Sequence, residues 1–144
     1  MPAVKGAEDA MAELTVLLVD DEPDFRELLA KRLGKRKLRV LEAPSGERAL
    51  ELLTPEIDVV LLDVKMAGLS GIETLQRIKQ RLPGLQVIML TGHANVEVAL
   101  EGMALGAFDY LIKPVDLDNL VYRIQDACKT RQLAATGPEP PSGT

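Results

Sequence analysis

Tryptophan is missing from this chain of 144 residues, the other aromatics are two Tyr and two Phe, and cysteine and histidine occur once each. So few ring faces leave little for nucleic-acid bases to stack on, and a net charge of −5 repels a phosphate backbone. No direct nucleic-acid partner is expected. The single Cys128 cannot close an internal disulfide, and its place on an apolar helical stripe marks a packed thiol rather than a reactive one. No stretch of about 18 apolar residues is present to span a bilayer, and the opening ten residues lack the apolar run of a secretion signal. A cytoplasmic protein with no membrane partner is therefore expected. Lys and Arg are absent between Arg81 and Lys113, where the charged side chains are Glu97, Glu101 and Asp109. Acids are absent in turn from a basic segment holding Lys31, Arg32, Lys35, Arg36, Lys37 and Arg39. That segment ends a predicted helix, where cations suit the macrodipole and water.

What is present, 47% hydrophobic and 27% charged residues, suffices for one domain with a core. Residues 1–13 lack periodicity and are expected to form a mobile arm. The domain covers 14–131, and 132–144, rich in Pro and Gly, reads as a disordered tail or linker. Strands are expected over Leu14 to Val19, Leu38 to Glu42, Ile57 to Asp63, Gln86 to Leu90 and Phe108 to Ile112. Between them run amphipathic stretches. The first opens at Pro23, turns Phe25, Leu28, Leu29 and Leu33 inward and stops at Gly34. Ser45 can cap the second, and the spacing of Ser70 to Glu73 fits a capping box for the third. Asn95 is expected to cap the fourth, with Val96, Ala99, Leu100 and Met103 inward and Gly106 closing it. Asp116 caps the fifth, whose apolar positions include Leu117, Leu120, Val121, Ile124 and Ala127. Five strands alternating with five helices imply an α/β fold, a doubly wound five-stranded parallel sheet of order 2-1-3-4-5 in a flavodoxin-like three-layer sandwich.

Val59 to Leu62 are apolar on consecutive positions, as a strand covered on both faces requires, and the run ends on Asp63. In such sheets ligands gather at the carboxyl ends of the strands, and the strand order sets Asp20, Asp21 and Asp63 on one rim. Three ionised carboxylates carry a charge of −3, which a divalent cation and Lys113 would cancel, and oxygen-only ligands point to Mg²⁺. Phosphate is then the implied substrate group, with Asp63 as nucleophile. Taken singly, these residues also fit a helix start, a strand end or a surface turn. In combination, acids, a lone acid, a hydroxyl (Thr91) and a lysine fall at the ends of strands one, three, four and five.

The segments Val19-Asp20-Asp21-Glu22, Leu62-Asp63-Val64-Lys65-Met66, Leu90-Thr91-Gly92 and Gly106-Ala107-Phe108-Asp109-Tyr110-Leu111-Ile112-Lys113-Pro114 together resemble the response-regulator receiver domains of two-component signalling. The resemblance implies a phosphoprotein in which a histidine kinase donates a phosphoryl group to Asp63. It implies Mg²⁺ held by Asp21, Asp63 and the main-chain carbonyl of Lys65, with Asp20 supporting through water. Thr91 and Tyr110 would form the switch, Gly92 would leave the phosphoryl entrance open, and Lys65 and His93 would flank the path of the water that ends the phosphorylated state. Ala67 departs from the family, which usually has Pro there, so the loop is expected to be less rigid. A metal-dependent phosphatase with an Asp nucleophile is the alternative, but its general acid would sit at position 65, which is Lys. A passive docking domain is the third reading, although the acids, hydroxyl and lysine are all present. No separate substrate turnover is expected of a receiver. The signal would leave through the fourth helix, fifth strand and fifth helix, toward an output domain, a downstream protein or a second copy. In such a homodimer Glu97, Glu101 and Asp109 would face Arg123, Lys129 and Arg131.

Overall fold

A computed structural model of the chain describes residues 14–66 and 68–136. Five strands, β1 (Thr15–Val19), β2 (Arg39–Ala43), β3 (Val59–Asp63), β4 (Gln86–Thr91) and β5 (Asp109–Ile112), pair in parallel in the order β2-β1-β3-β4-β5. The helices are α1 (Pro23–Lys35), α2 (Gly46–Leu52), α3 (Gly71–Arg81), α4 (Val96–Ala104) and α5 (Leu117–Thr136). The α/β sheet order expected from the alternation is the one observed.

Successive strand residues point to opposite faces, and here both faces are filled. Leu17, Val19, Val60, Leu62, Val87 and Met89 pack with Ala49 of α2, Leu75 and Ile78 of α3, and Ala99 of α4. Val16, Leu18, Val59, Leu61, Ile88 and Leu90 pack on the other side with Leu29 and Leu33 of α1 and Leu120, Ile124 and Ala127 of α5. Cys128 belongs to this second layer, and burial pushes its thiol pKa up to about 12, the behaviour of a packed side chain.

Local capping follows the expected chemistry at three helices. Ser45 Oγ accepts from the Arg48 amide at 3.1 Å, Asp116 Oδ2 accepts from Asn119 at 2.9 Å, and Ser70 with Glu73 closes a full capping box. Other local expectations are overturned. Gly34 does not stop α1, which continues to Lys35; the chain reverses at Lys37, whose φ is 68°. Asn95 makes no side-chain cap, because a 3-10 turn over His93–Asn95 leads into α4. Leu28 and Leu100 are each 51% exposed. The stripe of α1 that faces the sheet is Phe25, Leu29 and Leu33, and that of α4 centres on Ala99 and Gly102, so both leucines sit well round the helix from it. Residues 132–136, expected to belong to the tail, instead continue α5; the expectations for the 1–13 arm, for residue 67 and for 137–144 fall outside the described residues.

One packing contact bears directly on the sheet rim. A Cβ built on Gly71 would lie 2.6 Å from the carbonyl oxygens of both Asp63 and Val64 and 2.8 Å from Val64 Cα. Helix α3 can therefore start flush against the end of β3 only with glycine at that position. We expect Gly71→Ala to destabilise the fold by about 1–3 kcal/mol, the usual cost of overpacking. Gly84→Ala, with nothing within 4 Å of its Cβ, should be neutral or add up to about 1 kcal/mol. Urea denaturation midpoints of the two variants check the contrast.

Candidate functional site

The carboxyl ends of β1, β3, β4 and β5 converge on an open cleft of about 580 Å³ whose lining includes Asp21, Glu22, Asp63, Lys65, Gly92 and Lys113. Asp63 is the last residue of β3, the strand between β1 and β4, and only 6% of it is exposed. Asp20 follows β1 and is fully buried. Each of its acceptors is engaged. Oδ1 accepts from the Glu22 amide at 2.9 Å, Oδ2 accepts from Lys113 Nζ at 3.1 Å, and the main-chain carbonyl accepts from the Arg26 guanidinium at 2.8 Å. Asp21 completes the group: one oxygen from each of Asp20, Asp21 and Asp63 lies within 4.8 Å of the others.

Lys113, just past β5, is the counter-charge. Its ammonium stands 3.1 Å from Asp20, 3.5 Å from Glu22 and 3.6 Å from Asp63, and 4.2 Å above the Phe25 ring, where the π-face favours a cation. Burial presses its pKa down, but the hydrogen bond to Asp20 and the charges of Asp63, Asp20 and Glu22 outweigh burial, and the net shift is upward. Asp63 moves upward too. Burial is the largest cause and the Asp20 charge adds to it, while Lys113 and the Lys65 amide oppose, leaving the carboxyl pushed up to about 6 in the metal-free protein.

Thr91 ends β4 fully buried, its hydroxyl donating to the Gly92 carbonyl at 3.0 Å. The strands of this pair are also joined beyond the sheet, where the Lys113 amide donates to the Thr91 carbonyl at 2.7 Å. Tyr110 is opposite Met89, two residues before Thr91, so both switch candidates lie on the α3–α4 side of the sheet, with Tyr110 half-buried. Lys65 is exposed at the cleft. The side chain of His93 is outside the described residues.

Thus Asp20, Asp21, Asp63 and Lys113 come together, while Thr91 ends the adjacent strand buried and Tyr110 lies further back along β5. Sequence reasoning passed over four contributors. Glu22 reaches Lys113 although it was noted only as part of an acidic run. Phe25 reads as core, and Arg26 carries no signal, since a cation in a helix's first turn is ordinary. Glu47, on α2, accepts from the Leu69 amide in the loop after β3, a contact 22 residues away in sequence. Two expected surface bases are also placed differently. Arg131 donates to the Ile57 and Pro55 carbonyls at the amino end of β3, because α5 descends to that end of the sheet. Arg123 pairs with Asp109 inside the molecule.

The oxygen-only donor set fits a hard divalent cation, whose ligands on opposite sides stand about 4 to 5 Å apart. A doubly wound parallel sheet with an acid cluster and a lysine at its carboxyl rim defines a flavodoxin-like α/β domain. Comparison with known proteins gives the family. Residues 16–125 match the family model described as the response regulator receiver domain, and the chain belongs to that family. It is 40% identical over 126 residues to the response regulator protein PilR of Pseudomonas aeruginosa, covering 87% of this chain and 28% of that protein. It is 40% identical over 115 residues to the transcriptional regulatory protein ZraR of Escherichia coli, covering 79% of the chain and 26% of that protein. The chain thus spans about a quarter of the length of these relatives. A receiver domain crystal structure from Clostridium thermocellum superposes with a TM-score of 0.81 at 36% identity, over 84% of this chain and 98% of that one. The receiver domain of NtrX from Brucella abortus gives 0.76 at 34%, over 80% and 98%. No helix among the described residues is long and apolar enough to cross a membrane.

The raised Asp63 pKa has a consequence for stability. Between about pH 3.8 and 6 the folded state keeps a proton that the unfolded chain has lost, so this group favours folding at low pH and that contribution is lost as pH rises through 6. We expect Asp63→Asn to be more stable than the parent at pH 7 in metal-free buffer, by on the order of 1–3 kcal/mol, with the difference vanishing near pH 4. Denaturant unfolding of both proteins with EDTA at the two pH values tests this; equal stabilities at pH 7 would contradict the buried-carboxylate account.

Proposed function

We propose that this domain is a phosphorylation-driven signalling switch that takes a phosphoryl group from a histidine kinase onto Asp63. The observation that supports it most directly is the Asp63 carboxylate, buried at the end of a central strand yet lining an open cleft, 3.6 Å from the Lys113 ammonium. An Asp63 oxygen attacks phosphorus, the P–N bond of the phosphohistidine breaks, and the imidazole nitrogen leaves with the electron pair. Lys113 is near enough to hold a phosphoryl oxygen while the aspartyl bond forms. Asp21, Asp63 and the Lys65 main-chain carbonyl are the direct ligands this reading assigns to Mg²⁺, which when bound neutralises charge on the transferring group. Asp20 acts through water, in keeping with both its oxygens already accepting hydrogen bonds within the protein.

After transfer, the Thr91 hydroxyl exchanges the Gly92 carbonyl for a phosphoryl oxygen, and Tyr110 moves from its half-buried position into the space left behind. The altered surface is that of α4, β5 and α5. Its reader is an output domain, a downstream protein or a second copy. The self-association pattern is narrower than charge alone implied, since Asp109 and Arg123 satisfy one another and Arg131 is held elsewhere. Glu97 and Glu101 of one copy are left to face Lys129 of the other, all three exposed. Exposed pairs contribute only about 0.2–1 kcal/mol each, so such a dimer is weak and salt-sensitive.

Two experiments test this reading. Incubation with acetyl phosphate and Mg²⁺ should yield a single phosphoryl adduct by intact mass, absent with EDTA and absent in Asp63→Asn; an adduct of equal yield in that variant would place the acceptor elsewhere. Sedimentation with beryllofluoride, which stands in for the phosphoryl group on Asp63, should show a concentration-dependent shift at low salt that disappears at high salt. A monomer under all these conditions assigns the surface to a different reader.

A further inference from the structure

Helix α2 supplies none of the residues that line the cleft. Its first turn nevertheless grips the phosphoacceptor loop. Gly46 sits so close beneath it that an added Cβ would come within 3.2 Å of both the Leu69 carbonyl and Leu69 Cβ, and within 2.2 Å of Thr74 Oγ1. The neighbouring Glu47 turns its carboxylate onto the loop itself: Oε2 accepts from the Leu69 amide at 3.2 Å, and both carboxylate oxygens lie 3.3 to 3.5 Å from where a Cβ on Gly68 would be. Gly68 has φ +76°, a conformation that suits glycine and brings the backbone against the carboxylate. Beyond the grip, Ser70 caps α3 and the buried Thr74 hydroxyl donates to the Ser70 carbonyl at 2.8 Å. Gly68 to Ser70, ahead of α3, are therefore anchored at one end by α3 and Gly71, and laterally by Glu47. The backbone of Glu47 is fixed in the first turn of a helix whose cap, Ser45, is in place, and its exposed side chain makes the contact.

We propose that Glu47 is a positioning residue for the phosphoacceptor loop, its carboxylate pinning the Leu69 amide so that Lys65 and Asp63 are held ready for the cation and the phosphoryl group. The inference rests on the metal and phosphoryl reading of the site given above. A loop tied at Leu69 has fewer conformations to lose when Lys65 presents its carbonyl, so the tie favours cation binding without Glu47 touching the ion. What it supplies to the loop is an acceptor for one N–H. The glutamine side chain supplies the same acceptor.

The test compares the parent chain with Glu47→Ala, Glu47→Gln and Glu51→Ala, the last a control on the same helix whose partner is Arg48. Mg²⁺ alone is titrated while backbone amide signals of Lys65 and Leu69 are followed by NMR, and amide hydrogen exchange of Leu69 is measured without metal. In Glu47→Ala the Leu69 exchange should accelerate and the Mg²⁺ midpoint rise roughly three- to tenfold, the span expected for one hydrogen bond of ordinary net worth. Glu47→Gln should stay within about twofold of the parent, and so should Glu51→Ala. An unchanged midpoint and unchanged Leu69 exchange in Glu47→Ala overturn the proposal, as does a Glu47→Gln variant as impaired as the alanine one. An equal loss in Glu51→Ala would assign the effect to helix stability and overturn it too. Uptake of phosphoryl from acetyl phosphate by the parent is measured alongside: its absence counts against the phosphoryl reading, whereas normal uptake with an indifferent Glu47→Ala counts against the positioning role alone.

Discussion

A carboxylate taken out of water beside two others is an unfavourable thing to build, and the rest of this domain is arranged to tolerate it. At an effective dielectric near 20, two like charges 4 Å apart repel by about 4 kcal/mol, a sizeable part of what a small domain has in reserve. The sheet absorbs this by placing Asp63 where a strand buried on both faces ends. The backbone there is fixed by neighbours on either side, and the carboxyl still reaches an open cleft. Lys113 arrives from the far strand to offset the charge, and the same position lets it contact Asp20, Glu22 and Asp63 together.

The supporting groups divide the rim into a firm side and a yielding side. Asp20 is firm, because Lys113, the Glu22 amide and Arg26 occupy its acceptors, and Phe25 lies under the lysine. The end of β3 is firm through Gly71, which allows α3 to start against it. Thr91 and Tyr110 lie toward the other edge of the sheet. There β5 is only half-buried along its length and the Thr91 hydroxyl is held by a single neighbouring carbonyl. Charge neutralisation needs stiffness and signalling needs give, and the sheet supplies them at different strands.

The sheet order and the placement of Asp20, Asp21, Asp63, Thr91 and Lys113 at strand ends were legible because they depend on periodicity and on turns, both of which a sequence displays directly. The caps at Ser45, Ser70 and Asp116 were legible for the same reason, being local patterns of four residues. Gly34 and Asn95 misled because a glycine or asparagine near a helix end is only permitted, not required, to adopt the terminating conformation. Leu28 and Leu100 misled because composition cannot say how wide a buried stripe is. Arg26, Phe25 and Glu47 were invisible as site residues since their roles arise from contacts between elements: a guanidinium over a main-chain carbonyl, a ring under an ammonium, a carboxylate on a distant loop amide. Arg131 was misplaced because helical spacing gives a face of α5 but not how far down the sheet that face has travelled.

The pair between Arg26 and Glu42, 3.1 Å apart, has a bearing on how the molecule behaves in a crowd. Strand β2 is the open edge of the sheet next to β1, and its residues Arg39 and Glu42, on opposite faces, are exposed, as is Leu41 at 36%. An unpaired edge is a template onto which another strand can add, and charged side chains along it make such addition costly. Any chain docking there would have to strip water from the charged groups of Arg39 and Glu42. The charges along this edge, one of them paired with the guanidinium that also donates to the Asp20 carbonyl, therefore discourage the sheet from growing by recruiting strands from its neighbours.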